Sequence, residues 1–233
     1  DHLKEPWALR LPPMPVDNGE LAGHIEDQQG MFNLNNLVLG GKISAIQMER
    51  FRRLLSLLEL PATLAYSLAD WIDADNDPQP NEGAEDEYYL SLPSPYLAAN
   101  RPLTDVAELS LVRGFTDEVR RRLSPFVSAL PANTAVNVNT AAPEVLSAVI
   151  DGLGLDAART LLAQRERAYF RDYTDFSSRL PAGVSVTSND IMVKSEYFLA
   201  SLRVTIGGAE ARGRVLLVRG DIGWPTIVWR KYQ

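Results

Sequence analysis

Seven carboxylates fall within fifteen residues in the segment Asp73-Ala74-Asp75-Asn76-Asp77-Pro78-Gln79-Pro80-Asn81-Glu82-Gly83-Ala84-Glu85-Asp86-Glu87. Charges of one sign packed this densely repel unless water or a cation separates them. Calcium takes about six to eight oxygen ligands in a flexible geometry, whereas magnesium keeps its waters and uses few carboxylates. Thiolate and imidazole metals lack donors here, because the chain has no cysteine and its only histidines are His2 and His24. The spacing is not that of an EF-hand: with Asp73 as first ligand, the glycine slot falls on Pro78 and the closing glutamate slot on Ala84. Composition alone therefore leaves two readings open, a solvated acidic loop and a divalent-cation site. Trp71, Tyr88, Tyr89 and Leu90 flank the carboxylates with residue types that pack, which would pin the segment to the body.

A second constellation points toward phosphate. Val136-Asn137-Val138-Asn139-Thr140-Ala141-Ala142, then Val145-Leu146 and Gly152-Leu153-Gly154-Leu155-Asp156, resembles a helix-hairpin-helix module. Such modules can offer backbone N–H groups to a nucleic-acid phosphate. Here Asp151 and Asp156 bracket the hairpin and oppose an anion, and residues 133–180 carry six acids against five arginines and no lysine. The module is expected to be structural, packing through Val149, Ile150, Leu153 and Leu162. DNA binding, as part of a DNA-uptake apparatus, is the alternative.

Enzymatic signatures are weak. His2 lies in the lead-in and His24 on a predicted strand, neither beside a nucleophile motif. The sequence holds no P-loop and no dinucleotide fingerprint after a strand. An acid–base hydrolase would need convergent carboxylates in unlike environments. The balance of 23 basic against 30 acidic residues, a net charge of −7, disfavours general binding to nucleic acid or anionic membrane.

The elements that would position these groups are read from periodicity. Residues 1–19, with Pro6, Pro12, Pro13 and Pro15, form an extended lead-in, and Gly19 to Val38 reads as strands turning at Gln29-Gly30. Asn33, Asn35 and Asn36 have a structural role there, bonding backbone in a turn. A capping box at Ser44-Ala45-Ile46-Gln47 opens a helix with Phe51, Leu54, Leu55 and Leu58 on one face. Pro61 begins a second helix, and Thr104 and Thr116 each start a short one. From Phe198 to Ile206 alternate residues are apolar, leaving Ser201, Arg203 and Thr205 for solvent. Gly207-Gly208 turns that strand into its partner at Arg214 to Arg219, and a last strand follows at Thr226 to Arg230. The expected fold is α+β, an antiparallel sheet interrupted by a large all-helical insertion: first strands in 1–40, insertion in 41–192, C-terminal strands in 193–233. No apolar run reaches the ~20 residues that span a bilayer. The opening Asp1-His2-Leu3-Lys4 reads as the start of a fragment, so any membrane anchor would lie upstream.

Several of these segments, in order, resemble the GspK family of type II secretion minor pseudopilins. They are Trp7-Ala8 with its proline-rich lead, Ile25-Glu26-Asp27-Gln28-Gln29-Gly30-Met31-Phe32-Asn33-Leu34-Asn35-Asn36-Leu37, Asp70-Trp71-Ile72-Asp73-Ala74-Asp75, Gly83-Ala84-Glu85-Asp86-Glu87-Tyr88-Tyr89, Asn100-Arg101-Pro102-Leu103 with Glu108-Leu109, and Asn137-Val138-Asn139-Thr140-Ala141. Met31 departs from the arginine that this family would place there. The resemblance implies a pilin-like sheet, an inner-membrane anchor upstream of a periplasmic domain, and a non-enzymatic role at the pseudopilus tip. It implies partners in the I and J minor pseudopilins, and further contact with the major pseudopilin and with secreted substrate or the outer-membrane channel. It also implies bound calcium, which on this sequence would fall to Asp73, Asp75, Asp77, Glu85 and Asp86.

Overall fold

A computed structural model describes residues 1–80, 82–220 and 223–232, with backbone alone at Leu11. Strands stand at both ends of the chain. β1 (Leu11–Val16) and β2 (Gly19–Asp27) form a hairpin. The short strands β3 (Phe32–Asn33), β4 (Val38–Leu39), β5 (Lys42–Ile43), β6 (Val127–Ser128), β7 (Val136–Asn137) and β8 (Ile191–Met192) follow. The long strands β9 (Tyr197–Ile206) and β10 (Ala209–Val218) come next, then β11 (Thr226–Tyr232). Five of them make one antiparallel sheet in the order β1-β2-β9-β10-β11. The N-terminal strand β2 therefore pairs with the C-terminal β9, from Gly19 opposite Ile206 to Asp27 opposite Phe198. The proline-rich lead-in is itself the edge strand β1, a position that tolerates Pro12, Pro13 and Pro15 because an edge need not donate every N–H.

Residues 28–196 lie between the two halves of the sheet and carry α1 (Ala45–Leu57), α2 (Leu64–Ile72), α3 (Asp86–Leu90), α4 (Asp117–Leu123), α5 (Pro143–Val149), α6 (Leu155–Arg167) and α7 (Tyr173–Ser178). Their main core gathers Phe51, Leu54 and Leu55 of α1, Leu68 of α2, and Val145 and Leu146 of α5, all fully buried. β3 pairs with β6 and β7 with β8, both parallel. The three asparagines tie these pieces together. Asn35 donates to the Leu103 and Leu130 carbonyls at 2.9 Å each, and Asn36 donates to the Thr134 carbonyl at 2.8 Å. Asn33 accepts from the Leu130 N–H at 3.1 Å. All three are buried, so each lost bond would strand a backbone group away from water.

Local signals met competition at several helix starts. Ser44 occupies the N-cap of α1, yet its side chain makes no capping bond. Pro61 lies in a turn before α2, whose first residue is Leu64. Thr116 caps α4 through the Val119 N–H, whereas Asp105, not Thr104, caps the short 3-10 helix Val106–Leu111. Thr104 instead bonds the carboxylate of Glu108. The hairpin between α5 and α6 packs inward through Val149, Ile150 and Leu153, with Leu162 partly buried. Buried Arg165 donates to the Val138 and Ala141 carbonyls, at 2.9 and 2.7 Å, fixing α6 to the preceding strand. Asp151 pairs with Arg53 of α1 at 2.9 Å. The hairpin is thus docked against its own domain.

The side of the sheet that carries Ser201, Arg203 and Thr205 is covered at one end only. Tyr197, Leu199 and Leu216 form a second small core with Leu130, because the helical block covers that end of the polar-facing side. Leu202 and Ile206, at the far end of the other face, stay 45% and 52% exposed.

Candidate metal centre

The acidic segment leaves α2 at Asp73 and returns to helix at α3, so its two ends are held by the core. Trp71 and Tyr89 are buried edge to face, their rings 5.0 Å apart, and Tyr96 stacks on Tyr89 at 5.3 Å. Tyr88 packs partly, under the guanidinium of Arg113. Leu90, expected to pack, points outward instead and is 52% exposed. It follows Tyr89 on a helix of a single turn, whose inward side the tyrosine takes.

These anchors pull carboxylates out of water. Asp73 is 2% exposed and Glu85 is 4% exposed. Asp73 Oδ1 and both carboxylate oxygens of Glu85 are buried with no hydrogen-bond partner among the described residues. Burial pushes Asp73 up to about 7, with the charges of Asp75 and Asp70 adding to the effect. Burial likewise pushes Glu85 up to about 8, helped by Asp70, Asp73, Asp75 and Asp86. An unpaired buried carboxylate costs several kcal/mol unless it is protonated or meets a cation.

Asp70 is the member that the sequence reading missed. It lies on α2 one turn before Asp73 and is fully buried. Burial raises it to about 6, opposed by hydrogen bonds from the Gln79 and Ala84 N–H groups. Its spacing of three residues from Asp73 on a helix was the available signal, since such neighbours share a face. Gly83 closes the loop over it, leaving no room for a side chain: an added β-carbon would meet Gln79 backbone nitrogen at 2.5 Å.

The five expected ligands divide unequally. Asp73 and Glu85 are buried in the cluster; the charge of Asp75 acts on both, and that of Asp86 on Glu85. Asp75 is exposed and accepts a bond from the Asp77 N–H at 3.0 Å. Asp86 accepts from the Ala98 N–H at 2.9 Å. Asp77 is exposed, and its charge is not among those acting on Asp73 or Glu85. Among the described residues, no three carboxylate or imidazole side chains converge into a finished metal shell. The donor set is all oxygen, and the three orphaned oxygens of Asp73 and Glu85 fit a hard divalent cation such as calcium.

Comparison with known proteins supplies the family. Two family models, each described as type II secretion system (T2SS), protein K, match residues 30–132 and 136–194. Type II secretion system protein K of Pseudomonas aeruginosa is 41% identical over 236 residues, covering 99% of this chain and 70% of that protein. The Aeromonas hydrophila protein of the same name is 35% identical, covering 94% of this chain and 72% of its own length. A crystal structure of the GspK-GspI-GspJ complex from the enterotoxigenic Escherichia coli type 2 secretion system superposes with a TM-score of 0.87 at 30% identity, over 100% of this chain and 86% of that one. With its own length matched almost throughout by these relatives and by that structure, the chain belongs to the type II secretion system protein K family.

Proposed function

We propose that this chain is the periplasmic part of a minor pseudopilin that assembles with the I and J minor pseudopilins and closes the tip of the type II secretion pseudopilus. The observation that carries the reading is its likeness, over its whole length, to a chain of a GspK-GspI-GspJ complex, together with its membership of the protein K family. The role is structural, not catalytic, and the domain belongs to a protein anchored in the inner membrane. The five-stranded sheet at the two ends of the chain supplies the pilin-like part, and the block of residues 28–196 between its halves, wider than the 41–192 expected because Phe32, Leu34 and Leu37 pack into its core, is the element that fits only at a filament end. Contact with the major pseudopilin, secreted substrate or the outer-membrane channel would follow from that position. Mixing this chain with soluble I and J domains and measuring the mass of the product tests the assembly. A one-to-one-to-one complex is expected, and three separate species would overturn it.

Calcium belongs to the same proposal. Asp73 and Glu85, with Asp70 and Asp75 nearby, would hold it, and Asp86 would complete the charge. Calcium supplies charge neutralisation there, and the chain's own part is to keep the loop ends packed through Trp71 and Tyr89. The helix-hairpin-helix alternative loses its support, since the hairpin packs inward and faces Arg53 with Asp151.

A further inference from the structure

The polar side of the sheet carries a hollow of about 420 Å³, at the uncovered end away from the small core. Its floor is made of short side chains, Ala22 and Ser201, on the neighbouring strands β2 and β9. Around that floor stand Arg203, Arg212, Arg214, Lys231, Arg10 and His24. Strand register explains the gathering. Ala22 lies opposite Arg203, which lies opposite Arg212, while His24, Ser201, Arg214 and Lys231 form the next rung. Residues on one rung of an antiparallel sheet share a face.

Two arginines directly opposite each other are an unfavourable cross-strand pair. Glu210 offsets part of this, reaching Arg212 at 2.6 Å and Arg203 at 4.0 Å. Lys231 is paired with Asp105 at 2.7 Å. Arg214 lies over the Trp229 ring, and neither it nor Arg10 has an ion pair among the described residues. The hollow is thus left with surplus positive charge on a molecule of net charge −7.

We propose that this hollow binds a carboxylate-rich polypeptide segment lying across the sheet. Charge complementarity sets the chemistry, because guanidinium forks pair with carboxylates through two parallel hydrogen bonds. Extent sets the size of the ligand. The cations run from Arg10, beside β1, to Lys231 on β11, and four interstrand steps span about 19 Å. That is the reach of roughly six extended residues, not of a single small anion. Overall charge repels acidic ligands, so any affinity for one must come from this local patch.

Fluorescently labelled hexaglutamate, titrated into the full chain at low ionic strength, tests the proposal, with hexaglutamine and citrate as the other arms. Saturable binding of hexaglutamate alone among the peptides is expected. The double substitution Arg203→Gln, Arg212→Gln should weaken it by about tenfold or more. Arg167→Gln, on α6 outside the hollow, should leave it unchanged. Arg203→Lys combined with Arg212→Lys should retain most of the binding, which separates lost charge from a disturbed sheet. Absence of hexaglutamate binding, equal binding by the double glutamine variant, or binding of citrate without the peptide would each overturn the assignment.

Discussion

Asp27 and Asn137 meet across 110 residues of sequence, the asparagine Nδ2 donating to the carboxylate Oδ2 at 2.9 Å. The same oxygen accepts from Thr140 Oγ1 at 2.6 Å and Ser195 Oγ at 2.7 Å, so one acid joins the end of β2 to the helical block and to the entry of β9. Asp27→Ala should cost about 3 kcal/mol or more, because buried donors lose their acceptor together. Asp27→Asn, which keeps an acceptor, should cost less. Urea denaturation of the three proteins checks the order, and equal midpoints would contradict it.

The orphaned oxygens of Asp73 and Glu85 predict opposite effects of neutralisation with and without calcium. In chelator at neutral pH, Glu85→Gln should raise the melting temperature, because the amide avoids the cost of protonating a buried acid. With calcium present, the same variant should show little of the gain seen in the parent chain. That gain should be about 2.7 kcal/mol at a hundredfold excess over the dissociation constant. Differential scanning calorimetry reads both arms. A parent chain indifferent to calcium would remove the site from consideration.

Acidity should move the chelator-treated chain in a defined direction. Glu85 rises from 4.5 to about 8 on folding, so its contribution is complete below 4.5 and is lost as pH climbs through about 8. Melting points taken in chelator should therefore fall between those values, and calcium should flatten or reverse the trend. Asp105 acts in the opposite sense. Burial raises it, but the Ala107 N–H and the Lys231 ammonium outweigh this and hold it below the ordinary carboxylate range. Its contribution is present above its unfolded value and lost as pH falls through the folded one. Asp105→Asn should blunt the acid limb of the stability curve.

Gly83 stands where a β-carbon would lie 2.3 Å from an Asp70 carboxylate oxygen. Gly83→Ala must displace either that carboxylate or the Gln79 backbone, at a cost of about 1–3 kcal/mol. The calcium-dependent gain in melting temperature should shrink alongside. Glycine at the exposed position 208 makes the contrast: Gly208→Asn keeps a residue that tolerates its positive φ of 87° and should change stability little.

Much of the sheet was legible because strand and turn signals there agree. Period-two alternation from Phe198 marked β9, and Gly207-Gly208 adopt positive φ angles of 54° and 87° in the turn that follows. Helix starts were less legible, since several polar residues compete for each cap; Asp105 won over Thr104, and Ser44 found no N–H to accept from. The acidic segment declared itself by composition, but composition ranks Asp77 with Asp73. Only packing on Trp71 and Tyr89 distinguishes the carboxylates drawn inward from those left in water. Asp70 was hidden for the same reason, being a single acid on an otherwise apolar helix.

Pairing of β2 with β9 also dictates an order of assembly. The first hairpin presents an unfilled edge until the whole of residues 28–196 has been produced and has become compact enough to bring β9 alongside. Contacts so distant in sequence close late, after the helices have settled around their own core. Until then the nascent molecule carries a bare strand able to pair with the wrong neighbour. The prolines of β1 leave only one side of that hairpin open to such an encounter.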